Sequence, residues 1–279
     1  MHYDIASKRL MEIGGAAILS EVAGVNVRTI DPLDELPQEQ ASITRNDFSA
    51  KCTLANGKEA IVLLEFQTEW KQEKLLDMLI YAAQRLRRHR LPVVQVMLLF
   101  QPCETATGRY SEGGITFEFS LVRIWELPVE TFLNPAQPGL WPLAALAKGG
   151  LASAEKVDKL LHHSPLPPRE RSDLLTIFAI FLGMRDKSIA AHFIQNRREL
   201  MIESPVYDLI RNEGRDEGYL KGLREQLEEM LTTFFDQSLS LALKEKLNSL
   251  STAAELKAAQ RKAVKCASLA EFEQVLESR

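Results

Sequence analysis

Asn46-Asp47-Phe48-Ser49-Ala50-Lys51-Cys52-Thr53-Leu54-Ala55-Asn56-Gly57-Lys58-Glu59-Ala60-Ile61-Val62-Leu63-Leu64-Glu65-Phe66-Gln67-Thr68 is the stretch on which the fold turns. It reads as two strands joined by a tight turn. Residues 48–54 form the first arm and 60–66 the second. Asn-Gly between two such arms is the strongest short hairpin signal. The run Ile61-Val62-Leu63-Leu64 suits a strand covered on both faces. Glu65 is the anomaly at its end, because a carboxylate is rarely buried without a partner. Glu65 and Gln67 lie two apart and share one face of the strand. Asp47 stands at the head of the partner arm.

Register decides whether these groups meet. A two-residue loop, Asn56-Gly57, pairs Leu54 with Glu59 and sets Asp47 opposite Phe66. The carboxylates then point to different faces. A three-residue loop, 55–57, pairs Leu54 with Lys58 and sets Asp47 opposite Glu65; such loops with a left-handed Gly are the next commonest class. Opposed like charges repel unless a cation lies between them. A hard ion such as Mg²⁺ takes one or two carboxylates and keeps its waters. In that register Asp47 and Glu65 are expected to be metal ligands, with Gln67 orienting an attacking water.

These residues resemble a known family. Asp47, a short hairpin, Glu65-Phe66-Gln67 and then a helix look like the PD-(D/E)XK nuclease superfamily. The closest branch is the recombination-promoting nucleases, or YhgA-like transposases. The opening His2-Tyr3-Asp4-Ile5-Ala6-Ser7-Lys8-Arg9-Leu10, the block Leu64-Glu65-Phe66-Gln67-Thr68 and the Glu-Gly steps near the C-terminus are similar to that branch. The resemblance covers most of the chain. It implies a restriction-endonuclease-like mixed sheet flanked by helices, with Asp47 and Glu65 binding Mg²⁺ or Mn²⁺ and DNA as the substrate. In the superfamily the last motif position is usually Lys. Here it is Gln67, as the branch commonly has it, which can hydrogen-bond a water but supplies no positive charge.

At 279 residues the chain is long enough for one large domain or a domain with an appendage. Its net charge of −4 creates no global field for nucleic acid, so any DNA surface has to be a local patch. Cys52, Cys103 and Cys266 are widely spaced, form no zinc pattern and suggest a reducing compartment. Without a signal peptide or a membrane-length apolar run, the expectation is a cytoplasmic protein with no membrane partner.

Residues 4–13 read as a helix capped by Asp4 and ended by Gly14-Gly15, and 16–23 as a second short one closed by Gly24. Residues 31–40, with two prolines, read as a loop. Glu12 and Glu21 read as a solvated helix face, although some superfamily members use a helix Glu as an extra metal ligand. Residues 71–90 carry a 3.6-residue apolar stripe. Tyr81 on that helix matches a position that the branch commonly fills with Tyr, while Asp77 stands where it often has Arg. Arg85, Arg87, Arg88 and Arg90 make the densest basic cluster, which either clamps DNA phosphates or complements the helix macrodipole.

Residues 92–100 and 115–127 read as further strands, and strand–helix–strand implies a parallel crossover. Trp141 is expected to pack on the core. Beyond residue 150 the pattern is helical and holds no catalytic grouping. The expected division is a nuclease-like domain over 1–150, a helical extension over 151–205 and a helical tail over 206–279. In the tail Gly214, Gly218 and Gly222 share one helix face, suited to close helix approach, a hinge or a homo-oligomer contact. Two readings follow. One is a Mg²⁺-dependent DNA endonuclease; the other is a non-catalytic DNA-binding or helical interaction protein that kept the fold.

Overall fold

The structure, a computed structural model, describes residues 2–33, 47–202 and 204–277. The chain forms two compact units, Met1–Leu209 and Ile210–Arg279. The first is mixed α/β. Its strands in chain order are β1 (Val27–Pro32), β2 (Phe48–Leu54), β3 (Glu59–Gln67), β4 (Val93–Leu99), β5 (Arg109–Glu112), β6 (Ile115–Glu118) and β7 (Ser120–Arg123). Five of them build one sheet in the order β1-β2-β3-β4-β7, while β5 and β6 form a separate hairpin. The pairs β1–β2 and β2–β3 are antiparallel; β3–β4 and β4–β7 are parallel. A parallel pair needs a crossover, and α2 (Glu73–His89) supplies it between β3 and β4.

The central strand β3 is covered on both faces, as its apolar run requires. Ile61 and Leu63 pack with Tyr81 of α2 on one face. On the other, the rings of Phe66, Phe100 and Phe181 form a chain of edge contacts, with centroids 5.9 and 5.3 Å apart. Phe181 belongs to α4 (Pro168–Arg185). The buried Gln95 side chain donates to the Met78 carbonyl at 2.6 Å, fastening β4 to α2.

The N-terminal helix departs from expectation. Gly14-Gly15 do not end it: α1 runs from His2 to Ala17 and passes into a wider turn over Ile18–Val22. The chain leaves at Gly24, whose φ of +69° is the left-handed conformation a helix end favours. The reason is packing. A Cβ on Gly14 would lie 2.9 Å from the Gly139 Cα, and one on Gly139 would lie 2.5 Å from the Gly14 Cα. The glycines let two backbones touch.

Two further readings change. Asp31 and Pro32 belong to β1 rather than to a loop; 34–40 of that expected loop lie outside the described residues. The expected strand over 115–127 is broken at Phe119, whose N–H bonds to the Gly108 carbonyl at 2.9 Å, so β6 and β7 join different sheets. Residues 127–150 form short 3₁₀ turns, and Trp141 is buried there, its indole N–H donating to the Asn134 carbonyl at 2.9 Å.

The helices α3 (Ala154–His162), α4 and α5 (Lys187–Met201) pack into this same first unit. Asp173 of α4 is fully buried. It accepts from Arg9 Nε of α1 at 2.7 Å and from the Ser204 hydroxyl at 2.6 Å. Glu12 is an exposed partner of the same Arg9, and Glu21 is exposed, so both are surface groups.

The second unit comprises most of α6 (Pro205–Phe235) with α7 (Leu241–Ser249), α8 (Ala253–Ala263) and α9 (Leu269–Glu277). Its core includes Leu227, Leu231, Leu243, Leu247, Leu256 and Phe272. Thr252 and Glu255 form a reciprocal capping box on α8. Gly214, Gly218 and Gly222 have open space where a Cβ would stand, so among the described residues no helix packs closely on them.

Candidate metal and phosphodiester site

The hairpin adopts the three-residue register. Phe48 pairs with Leu64 and Thr53 with Glu59, while Leu54 N–H donates to the Lys58 carbonyl at 2.8 Å. Gly57 takes φ +80°, which an L side chain resists, and the Asn56 side chain caps the Lys58 N–H at 3.0 Å. Continued one step past Phe48, this register sets Asp47 opposite Glu65. The contacts agree: Asp47 N–H lies 3.4 Å from Glu65 Oε2, and the Asp47 carboxylate accepts the Phe66 N–H at 2.7 Å. Gln67, on the Glu65 face, donates its amide to Glu65 Oε1 at 2.7 Å.

The site stands at the carboxyl ends of the parallel strands β3 and β4, where open α/β sheets bind ligands. Glu65 is only 5% exposed. Burial, then the neighbouring Asp47 charge, push its carboxyl well above the ordinary range, with Lys74, Gln67 and the Asp47 N–H pulling the other way. Asp47 is also raised, chiefly by burial; the Phe66 N–H lowers it, and Asp4, within hydrogen-bonding reach, raises it again. Two of the cations nearby are shared with other acids. Lys8 pairs with Asp4 at 3.2 Å and Lys74 with Asp77 at 3.5 Å.

A cleft of about 320 Å³ opens on this cluster, lined by Tyr3, Asp4, Ser7, Asp47, Gln67 and Lys71 among others. The Ser7 hydroxyl is buried there and has no hydrogen-bond partner among the described residues. Asp4 and Ser7 therefore bring α1 to the site. The spacing Asp4-x-x-Ser7 puts both on one helix face, a signal that could have found Ser7 once Asp4 was suspected.

The donor set suits a hard divalent cation: two carboxylates whose pKa is raised chiefly by burial, and further by Asp47 beside Glu65 and Asp4 beside Asp47. Among the described residues no group of three or more His, Cys, Asp or Glu is arranged as a ready-made metal cage. An ion held by Asp47 and Glu65 would keep most of its waters, which is the habit of Mg²⁺.

The arginine cluster divides. Arg85 is 3% exposed and donates to the Ser49 hydroxyl at 2.9 Å, tying α2 to β2, so it does not face solvent for a phosphate. Its position one turn after Tyr81 puts it on the inner face. Arg87, Arg88 and Arg90 are exposed. They stand at the C-terminal end of α2, about 24 Å along the helix from its first turn, which adjoins the carboxylates. Arg90 closes the helix in the left-handed conformation at φ 56°. Tyr81 packs in the core with Ile61 and Leu63 rather than lining the cleft.

No protein-family model, curated protein or solved structure matches the chain. Among the described residues no helix is long and apolar enough to cross a membrane.

Proposed function

We propose that the chain is a Mg²⁺-dependent DNA endonuclease with a restriction-endonuclease-like core, as its resemblance to the recombination-promoting nucleases implies. The observation that carries this reading is the pair Asp47 and Glu65, set opposite each other across the β2–β3 hairpin, Glu65 buried and Asp47 half-buried at the cleft. Two such carboxylates hold a divalent ion and stay ionised in its presence. A bound Mg²⁺ supplies an acidified water and stabilises charge on a phosphoryl group. The chain's own residues do the rest. Gln67 accepts or donates one hydrogen bond to orient that water. Ser7 offers a hydroxyl, and Lys71 a positive charge, to phosphate oxygens entering the cleft. Mn²⁺ substitutes for Mg²⁺ with the same ligands.

The test is nicking of supercoiled plasmid by the purified protein with and without Mg²⁺, beside Asp47→Ala. Mg²⁺-dependent nicking that falls about 100-fold or more in the variant is expected, because the lost ligand acts on the transition state. Equal nicking by both proteins would remove Asp47 from the chemistry. One observation favours the second reading, a non-catalytic DNA-binding or helical interaction protein that retains the nuclease fold: the Gln67 amide is engaged with Glu65 instead of free for water. Under that reading the protein binds Mn²⁺ and DNA but leaves the plasmid intact.

A further inference from the structure

The helix α2 covers the sheet with Leu75, Met78, Tyr81 and Arg85, all buried. Its opposite face ought to be polar, as for any helix laid on a sheet. It is not. Leu76 and Ile80 are each 42% exposed, and Ala83 is exposed with them. Glu73, Leu76, Ile80, Ala83 and Arg87 follow one another at steps of three, four, three and four residues. That is the seam of a helix pair, with apolar groups in the middle and a charge at each end.

We infer that this seam joins two copies of the chain, α2 lying antiparallel to α2 of the second copy about a two-fold axis beside Ile80. Charge selects both occupant and direction. Glu73 lies seven residues before Ile80 and Arg87 seven after it, so antiparallel pairing sets Glu73 of each copy against Arg87 of the other. The two contacts are equivalent, as an isologous interface requires. Parallel pairing would set Glu73 on Glu73 and Arg87 on Arg87, which repel. The helix dipoles also favour the antiparallel choice. Ile80 meets Ile80 at the axis, and Leu76 meets the Ala83 turn of its mate. The first turn of each α2 follows the cleft residues Thr68, Glu69 and Lys71, so the pairing holds the two carboxylate sites at opposite ends of the seam. A single helix seam is at the small end of specific interfaces, and dissociation near micromolar is expected.

Sedimentation velocity on the full chain from about 1 to about 100 µM tests this. Wild type is expected to pass from monomer to dimer within that range, and Ile80→Glu to remain monomeric. Glu73→Arg and Arg87→Glu should each weaken the dimer by about tenfold, since each turns two attractions into two repulsions. The double variant Glu73→Arg/Arg87→Glu should return to within about threefold of wild type, because the exchanged charges again oppose. A wild-type chain that stays monomeric overturns the proposal, leaving the seam to some other occupant. A dimer indifferent to Ile80→Glu overturns it too, as does a double variant no better than the single ones.

Discussion

At the residue scale Glu65 stands out, because it is buried and the cation that acts on it, Lys74, is also paired with Asp77. The folded-state pKa of Glu65 is raised above the unfolded one. Below pH 4.5, the ordinary value, it is protonated in both states and costs nothing. As pH rises from there towards the raised folded value of about 8, the unfolded chain ionises while the folded one stays protonated, and stability is lost. Glu65→Gln keeps the oxygen that accepts from Gln67 and removes the charge. It is expected to match wild type near pH 4 and to be more stable by about 1–3 kcal/mol at pH 8. Mg²⁺ should close that gap by stabilising wild type alone, by about 2.7 kcal/mol at a hundredfold excess over Kd. Thermal melts across pH 4–9 with and without Mg²⁺ decide it. A wild type that gains nothing from Mg²⁺ would count against the metal site, and a variant no more stable at pH 8 would count against the buried repulsion. This carboxylate was legible in the sequence as a charge ending an apolar run. Asp4 and Ser7 were less so: nothing local in an amphipathic helix says which polar residue of its first turns meets a strand 40 residues away.

The elements show the same division. The hairpin was readable to the level of two registers, because Asn-Gly constrains the turn and Leu63-Leu64 demands cover; the choice between them rests on whether Ala55 joins the loop, a difference of fractions of a kcal/mol that local sequence does not reveal. The basic helix end was legible only in part, because charge along a sequence does not say which face is inside: Arg85 falls on the buried stripe with Tyr81, while Arg87, Arg88 and Arg90 are exposed. The pair Gly14-Gly15 misled. Glycine ends helices when exposed, yet here it permits contact with Gly139. Gly14→Ala makes the sign of that contact measurable. Helix propensity alone predicts a gain of about 1 kcal/mol. The 2.9 Å approach of the new Cβ to Gly139 predicts a loss of about 1–3 kcal/mol, because the clash is with backbone that cannot rotate away. Net destabilisation in urea titration is expected. A stabilised variant would mean that α1 can shift off the 138–146 turns, and with it Asp4 off Asp47.

At the scale of the whole molecule, the chain's two units each carry a core of their own. The first holds the sheet, the carboxylates, the cleft and the α2 seam; the second buries Leu227, Leu231, Leu243, Leu247 and Phe272 among its own helices. The buried Asp173 takes Arg9 from α1 and Ser204 from just before α6, so a cut before residue 204 removes one of the two side-chain donors to a carboxylate in the interior. A chain ending at Leu209 keeps both partners and the buried Val206. It is expected to fold, to bind Mn²⁺ with an affinity within about threefold of the full chain, and to keep the full chain's association, since Ile80 and its seam remain. Calorimetric titration of Mn²⁺ beside sedimentation velocity reads both properties from one preparation. Loss of metal binding by a folded truncation would show that the second unit reaches the site. Retained metal binding with lost association would move the assembly contact from α2 to the C-terminal helices, where the bare face of Gly214, Gly218 and Gly222 would be the surface to test next.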